Sequence, residues 1–170
     1  MKSEELRAIQ APLKDSYRTA PQGALVTLKA EGILGENVSC SVETGKALVE
    51  AGLHPASGGT GILACSGDML LQALVACAGV TMNAVATAIG IPVERGVVKA
   101  EGEIDFRGTL GVSKEVPVGF QSIRLTFDLA TTASEEQLSK LVQLTERYCV
   151  VYQTLLGAPK ITVKCITSSS

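Results

Sequence analysis

The sequence lacks the features that mark several common classes of protein. It has a single histidine, His54, and its five cysteines form no Cys-x-x-Cys or Cys/His pair, which argues against a zinc site and a disulfide framework. Like charges are not grouped in blocks and the formal net charge is −2, so a nucleic-acid partner is not expected. The N-terminus has no apolar segment typical of a secretory signal, and we expect a cytoplasmic protein.

No charged residue occurs from Met69 to Ile91, and this stretch is long enough to cross a bilayer. Gln72 and Asn83 dilute its hydrophobicity, and no aromatic residue stands at either end. A helix that is apolar nearly all round is more often the buried centre of a globular domain. We therefore favour a buried central helix over a membrane span.

The rest of the chain alternates between helical and strand patterns. Apolar residues at helical spacing predict a first helix over 3–17, and a Ser134/Gln137 capping box predicts a second that runs through Cys149 to Gly157. Period-two alternation and β-branched residues predict strands over 24–30, 37–43, 97–106, 123–129 and 161–166.

This order of elements predicts an α+β fold. The first two predicted strands would form a hairpin that turns at 32–35, and the antiparallel sheet would pack on the long central helix. A length of 170 residues suits one domain, so we expect a single domain over 1–170 with 1–20 as an N-terminal helical arm.

Two cysteines fall on apolar helical faces. Cys77 lies about 140° around the central helix from Gln72, so it is away from the polar stripe. Cys149 continues the apolar stripe that begins at Leu138. Each of these cysteines could also be a small packing residue of the core without any chemical role, because free cysteine is among the most buried residue types. Packing is the favoured reading for Cys40, Cys65 and Cys165, and a loop role for His54.

Two motifs resemble the OsmC/Ohr family (osmotically inducible protein C and organic hydroperoxide resistance), in its OsmC-like branch. Ser66-Gly-Asp-Met-Leu-Leu-Gln-Ala-Leu-Val-Ala-Cys77 looks like the start of the family's central helix, which leads to a buried cysteine. Tyr148-Cys149-Val-Val-Tyr-Gln-Thr-Leu155 resembles the family's Cys-Pro-Val-Ser-x-Thr-Leu segment. The segments at 105–112 and 118–120 resemble its strand and excursion in the second half.

The resemblance implies an intertwined homodimer with packed central helices and thiol sites near the subunit interface. It also implies a cysteine-based peroxidase of the oxidative stress response that needs no cofactor. Cys77 matches the family's peroxidatic cysteine and Cys149 its resolving cysteine. The implied partners are a second copy of the chain, an organic hydroperoxide and an external dithiol reductant such as a lipoyl protein.

The sequence departs from the family pattern at several positions. Val150 and Tyr152 replace the usual proline and serine, and Asp68 replaces the usual glutamate before the central helix. The family's activating arginine has no match by motif, and Arg18 is the candidate by position. Apolar burial raises a thiol pKa, so Cys77 requires a nearby cation or a helix terminus to become nucleophilic.

Two functions of different classes follow from these observations. The first is a thiol-dependent peroxidase in which Cys77 and Cys149 come within disulfide reach, with Asp68 and Arg18 as supporting residues. The alternative is a catalytically silent dimeric protein that binds a small hydrophobic ligand in an interface pocket. No metal or membrane partner is expected for either.

Overall fold

The computed structural model describes residues 2–19, 32–34, 39–43, 48–111 and 113–167. These ranges contain both helices and strands, with a short 3₁₀ turn at Pro55–Ser57. In chain order the elements are α1 (Ser3–Thr19), β1 (Gly32–Leu34), β2 (Ser39–Glu43), β3 (Leu48–Gly52), β4 (Ala64–Cys65), α2 (Ser66–Ile89), β5 (Arg95–Ile104), α3 (Phe106–Thr109), β6 (Phe120–Ala130), α4 (Glu135–Tyr148) and α5 (Val150–Gly157).

The strands form two separate sheets. β1, β2 and β3 pair antiparallel in sequence order, and β4 pairs parallel with β3 at the other edge. β5 and β6 form a long antiparallel ribbon in which Val98 faces Phe127 and Ala100 faces Leu125. Alternation along this ribbon turns these four partly buried side chains toward the helices, as a half-buried strand requires.

α2 is the predicted central helix, and it ends at Gly90, whose left-handed backbone (φ 73°) suits a residue without Cβ. Its buried side chains recur every fourth residue and therefore lie on one face. This face packs against α4, α5 and β5. The buried residues are Leu74, Ala78, Met82 and Ala86.

The core divides into two clusters along α2. Toward the C-terminal end of α2, Met82, Ala86 and Ile91 surround Leu141 of α4. Toward the N-terminal end, Leu74 and Ala78 surround Cys149. One cluster is therefore purely apolar, while the other contains a buried thiol.

By length and composition alone, α2 could cross a membrane, since its mean hydropathy reaches 1.7 over the most apolar window. The core helix of a soluble domain meets the same criterion. In this structure α2 packs on α4, α5 and β5, and 22% of that window is buried within the chain.

The predicted capping box is confirmed. The Ser134 hydroxyl accepts from the Gln137 N–H at 3.3 Å, and the Gln137 side chain accepts from the Ser134 N–H at 2.9 Å. These reciprocal bonds satisfy two amides that the helix itself leaves free. α4 therefore begins where the sequence predicts.

Two sequence predictions about strands are wrong. The proposed turn at 32–35 is in part a strand, because Gly32–Leu34 pairs with β2 from Leu34↔Cys40 to Gly32↔Val42. The proposed final strand over 161–166 has no regular secondary structure, and Ile161, Val163 and Ile166 are exposed. An alternating pattern forms a strand only where a neighbouring strand accepts its hydrogen bonds. The predicted strand over 24–30 and residues 37 and 38 lie outside the described residues.

Candidate active site

The helix predicted from the Ser134 capping box through to Gly157 is broken at Cys149, so the expectation of one continuous helix is wrong. Cys149 has an extended backbone (φ −74°, ψ 109°) and is at once the C-cap of α4 and the N-cap of α5. Its N–H donates to the carbonyl of Thr145 at 2.9 Å, and its own carbonyl accepts from the Gln153 N–H at 2.9 Å. The break is thus held by hydrogen bonds on both sides.

A new helix start supplies backbone amides without partners in the helix itself. The first residues of α5 are Val150, Val151 and Tyr152, and no side chain caps this end. Amides at a helix N-terminus favour a negative charge nearby through hydrogen bonds and the helix dipole. The junction therefore provides a site for an anionic sulfur.

Cys77 of α2 occupies that site. Burial raises the pKa of the Cys77 thiol, but hydrogen bonds from the Val151 amide, the Cys149 thiol, the Val150 amide and the Thr81 hydroxyl together lower it below its ordinary value. Hydrogen bonds to the charged form stabilise a thiolate. The helix terminus that the sequence argument required for an active thiol is therefore supplied by α5.

The pKa of the Cys149 thiol is displaced in the opposite direction. Burial is the largest influence and raises the pKa of the Cys149 thiol. A hydrogen bond from the Tyr152 amide opposes it, the hydrogen bond to Cys77 and the charge on Cys77 raise the pKa further, and the Val151 amide lowers it least. The Cys149 side chain is almost completely buried, whereas Cys77 is half-buried. The structure thus brings the two thiols into contact, with the pKa of Cys77 lowered and that of Cys149 raised.

The positions of the two predicted supporting residues, Asp68 and Arg18, say little about a role in the site. Asp68 lies in the first turn of α2, where the helix dipole stabilises a carboxylate, and its side chain is exposed. Among the described residues it forms no ion pair. Arg18 belongs to the last part of α1, and its side chain lies outside the described residues.

The remaining cysteines and the histidine lie elsewhere. Cys65 is the half-buried N-cap of α2 and Cys165 is exposed, while only the backbone of Cys40, in β2, is described. The His54 Nδ1 accepts from the Ala56 N–H at 3.0 Å, and its ring stacks on Phe106 with centroids 5.0 Å apart. His54 therefore has the structural loop role that the sequence favoured.

Two cavities flank the helix junction. The inner cavity, about 510 Å³, lies between β6 and the α4–α5 pair. Most of its wall is apolar and includes Leu74, Phe127 and Tyr152, which also pack in the cluster around the thiols. Glu146 brings a carboxylate to this cavity. Burial raises the pKa of the Tyr152 phenol, and the negative charge of Glu146 and its hydrogen bond with the phenol raise it further.

The outer groove is more open and measures about 440 Å³. It lies along the end of α4 and one face of α5, and Arg147, Tyr148, Cys149 and Gln153 contribute to its wall. The Arg147 guanidinium lies 5.6 Å from the centroid of the Tyr148 ring.

Sequence reasoning missed the amides of α5, the Thr81 hydroxyl and the opposed side chains of Glu146 and Arg147. One signal was present, since the family segment has proline directly after its second cysteine, and proline favours the first position of a helix. The matching residue here is Val150, the first residue of α5. Within the described residues, no group of three or more histidine, cysteine or acidic side chains could hold a metal ion.

The sequence model of the OsmC-like protein family matches residues 59–164, which is more than half of the chain. The chain therefore belongs to the OsmC-like family. The matched region includes α2, both thiols of the pair and both helices that form the junction. No curated protein matches the chain in sequence.

Solved structures share the fold. An OsmC-like protein from Mycoplasma pneumoniae is 19% identical with a TM-score of 0.67, over 78% of this chain and 89% of that one. Organic hydroperoxide resistance proteins from Legionella pneumophila and Elizabethkingia anophelis are each 18% identical with TM-scores of 0.62, over 78% of this chain. The alignments cover 91% and 90% of those two chains. At these identities the likeness establishes the mixed α+β OsmC fold.

Proposed function

We propose that this protein is a thiol-dependent peroxidase that reduces organic hydroperoxides through Cys77 and Cys149. The observation that carries the proposal is the contact between the two thiols at the start of α5, with the pKa of Cys77 lowered and that of Cys149 raised. A nucleophile needs a thiolate at working pH, whereas a resolving thiol needs only to be adjacent. Membership of the OsmC-like family supports the same chemistry.

The reaction follows from this arrangement. The Cys77 thiolate attacks the distal oxygen of ROOH, the O–O bond breaks, and the alkoxide takes a proton to leave as ROH. Cys77 is now a sulfenic acid. The Cys149 sulfur then attacks the Cys77 sulfur, the sulfenic oxygen leaves as water, and a disulfide forms. An external dithiol reduces that disulfide and completes the cycle, and the family resemblance suggests a lipoyl protein in this role.

The hydroperoxide would enter through the inner cavity. Its volume of about 510 Å³ suits a small organic molecule, and its apolar wall shares Leu74 and Tyr152 with the thiol cluster. Activation of Cys77 by the α5 amides makes no demand on Arg18 or Asp68. We therefore assign Asp68 to the helix N-terminus, while a role for Arg18 stays a prediction, because its side chain lies outside the described residues.

The test counts thiols. Reduced protein is mixed with one equivalent of cumene hydroperoxide, and free thiols are titrated under denaturing conditions. We expect two thiols lost per chain, and none lost in the Cys77→Ser variant, while Cys165→Ser, which alters an exposed cysteine, should behave as wild type apart from its missing thiol. Unchanged thiols with unconsumed hydroperoxide would contradict the proposal.

A homodimer is the second part of the proposal. On the face of α2 away from the core, Ala73, Ala76, Val80 and Asn83 are exposed at the spacing of a helix–helix seam. Small residues on such a seam allow close approach of a second α2. Light scattering should give about twice the 17.7 kDa of one chain, and a stable monomer at micromolar concentration would contradict the dimer.

The inner cavity also favours the alternative function, a silent protein that binds a small hydrophobic ligand. Its apolar wall and its volume would suit such a ligand without any redox step. In that case an apolar probe such as cumyl alcohol would bind to wild type and to Cys77→Ser alike, and hydroperoxide would leave all thiols intact. The thiol titration therefore separates the two functions.

A further inference from the structure

The inner cavity has a mostly apolar wall with one charge in it. Among the described residues of that wall, Glu146 of α4 is the charged one, and aliphatic and aromatic side chains of β6, α4 and α5 form most of the remainder. Glu146 is half-buried, whereas the next residue, Arg147, is exposed and belongs to the wall of the outer groove. The cation that is nearest in sequence therefore lies along a different space.

The Glu146 carboxylate has no cationic partner. Neither ion pair found in the described part of the chain includes it. The Tyr152 phenol interacts with this carboxylate, but a phenol that keeps its proton carries no positive charge to offset it. Charges interact more strongly across an apolar space than across water, because the effective dielectric constant is lower. A second negative charge in the cavity would therefore be repelled, while an uncharged molecule would not.

The cavity adjoins the thiol pair, although neither sulfur is in its described wall. Leu74 and Tyr152 belong both to this wall and to the cluster around Cys149, against which Cys77 also packs. Cys77 is half-buried and is the more accessible thiol of the pair. The cavity is therefore placed to hold a part of the substrate that does not react.

We propose that the inner cavity binds the carbon skeleton of an uncharged organic molecule, and that Glu146 excludes molecules that carry a carboxylate. This inference rests on the proposed function and names its substrate class, which is neutral hydroperoxides, such as alkyl or ester hydroperoxides, rather than those of free fatty acids. The O–O group extends from the cavity past Tyr152 toward Cys77. Glu146 makes and breaks no bond, and its role is to determine specificity.

The first experiment measures binding without any redox step. Cys77→Ser protein is titrated calorimetrically with two alcohols that cannot oxidise a thiol, the 4-carboxylate of cumyl alcohol and the methyl ester of that carboxylate. We expect the ester to bind at least about tenfold more tightly at low salt, because the carboxylate meets a like charge in an apolar space. Adding Glu146→Gln should bring the two Kd values within about twofold of each other.

The matched control for this charge is Glu136→Gln. Glu136 lies in the exposed first turn of the same helix and is not in the cavity wall, so its removal should preserve the discrimination. Equal binding of ester and carboxylate before Glu146 is changed would overturn the proposal. So would a discrimination that persists in Glu146→Gln, or an ester that does not bind.

The second experiment locates the bound molecule. Leu156 and Thr154 are exposed residues of α5, and Leu156 lines the inner cavity whereas Thr154 lines the outer groove. Leu156→Trp should weaken ester binding by at least about fivefold because the larger side chain fills the cavity, while Thr154→Trp should change it by less than about twofold. Equal effects of the two variants, or no effect of either, would place the ligand outside the inner cavity and contradict the proposal.

Turnover separates this inference from the proposed function. With the hydroperoxides of the same two skeletons, wild type should favour the ester by about tenfold in kcat/KM, and Glu146→Gln should remove the preference mainly through KM, since the charge acts on binding. Consumption of both hydroperoxides at equal rates would overturn the role of Glu146 and leave the peroxidase intact. If neither is consumed while the alcohols still show the discrimination, the peroxidase fails and the site for uncharged ligands stands.

Discussion

Cys77 and Cys149 are the same residue type in contact with each other, yet their thiols have pKa values displaced in opposite directions. Cys77 lies in the middle of α2, where every amide of the surrounding turns is used within the helix. Cys149 lies between two helices, so the free amides that follow it in the chain are close by. The Val150 and Val151 amides lower the pKa of the neighbouring Cys77, whereas burial raises the pKa of Cys149 despite hydrogen bonds from the Tyr152 and Val151 amides.

The comparison shows that the reactivity of a cysteine depends on the backbone of another element. Judged from its own helix, Cys77 has mainly apolar neighbours, with Thr81 as the polar exception, and would be an inert core residue. The break at Cys149 changes that outcome, because it directs the start of α5 at the sulfur. In the proposed mechanism, Cys149 thus contributes both the second thiol and the helix start that lowers the pKa of Cys77.

The largest expected effect comes from replacing each cysteine with serine, because the two variants should lose different steps of the reaction. Cys77→Ser should lower hydroperoxide consumption by at least about a thousandfold, because a serine hydroxyl is not ionised at neutral pH. Cys149→Ser should retain one rapid turnover and then stop as a sulfenic acid, detectable with dimedone by mass spectrometry. Equal loss of the first turnover in both variants would show that the two thiols have no division of roles.

Much of this fold could be predicted from the sequence, because α2, α4 and the β5–β6 ribbon have strong periodic patterns. The Ser134 capping box located the start of α4 for the same reason. The break at Cys149 was missed because the apolar stripe continues across it, and periodicity reports the buried face rather than backbone continuity. The Val150–Val151 pair, β-branched and therefore less favourable in a helix, was the weak local signal.

The candidate site was predictable only in part. The family motifs identified Cys77 and Cys149, but the activating groups are backbone amides, which every residue possesses and no motif displays. The search for an arginine therefore led to Arg18, chosen by position alone. The charges of Glu146 and Arg147 were visible in the sequence, while the two separate spaces they line depend on the three-dimensional junction.

A core substitution outside the thiol cluster tests whether the pair depends on its own contacts. Leu141 is fully buried in the apolar cluster, and Leu141→Ala should lower the free energy of unfolding by about 2–5 kcal/mol through the cavity it leaves. Leu110→Ala, at an exposed position, should change it by less than about 0.5 kcal/mol. Urea denaturation measures both. In folded Leu141→Ala protein the pKa of Cys77 should stay low, and a return to the ordinary value would contradict local activation.

The pH dependence of alkylation sharpens the same comparison. Only thiolates react with iodoacetamide, so the rate of the pair should rise with pH in two steps. The first step should fall below the ordinary thiol pKa, because Cys77 is stabilised as an anion, and the second above it. Below the first step the rate should decrease about tenfold per pH unit. Mass spectrometry should find the early label on Cys77, and an early label on Cys149 would reverse the assignment.

The smallest expected effect concerns the one side-chain hydroxyl that helps Cys77. The Thr81 hydroxyl lies one turn further along α2 and stabilises the Cys77 thiolate together with the α5 amides. Thr81→Val removes this donor with little change of shape, so the pKa of Cys77 should rise and the alkylation rate at neutral pH should fall about two- to fivefold. Thr87→Val is the matched control on the same helix, because the Thr87 hydroxyl donates to the Asn83 carbonyl at 2.7 Å instead. If both variants alkylate at the wild-type rate, the α5 amides and the Cys149 thiol account for the activation of Cys77, and the contribution of its own helix is negligible.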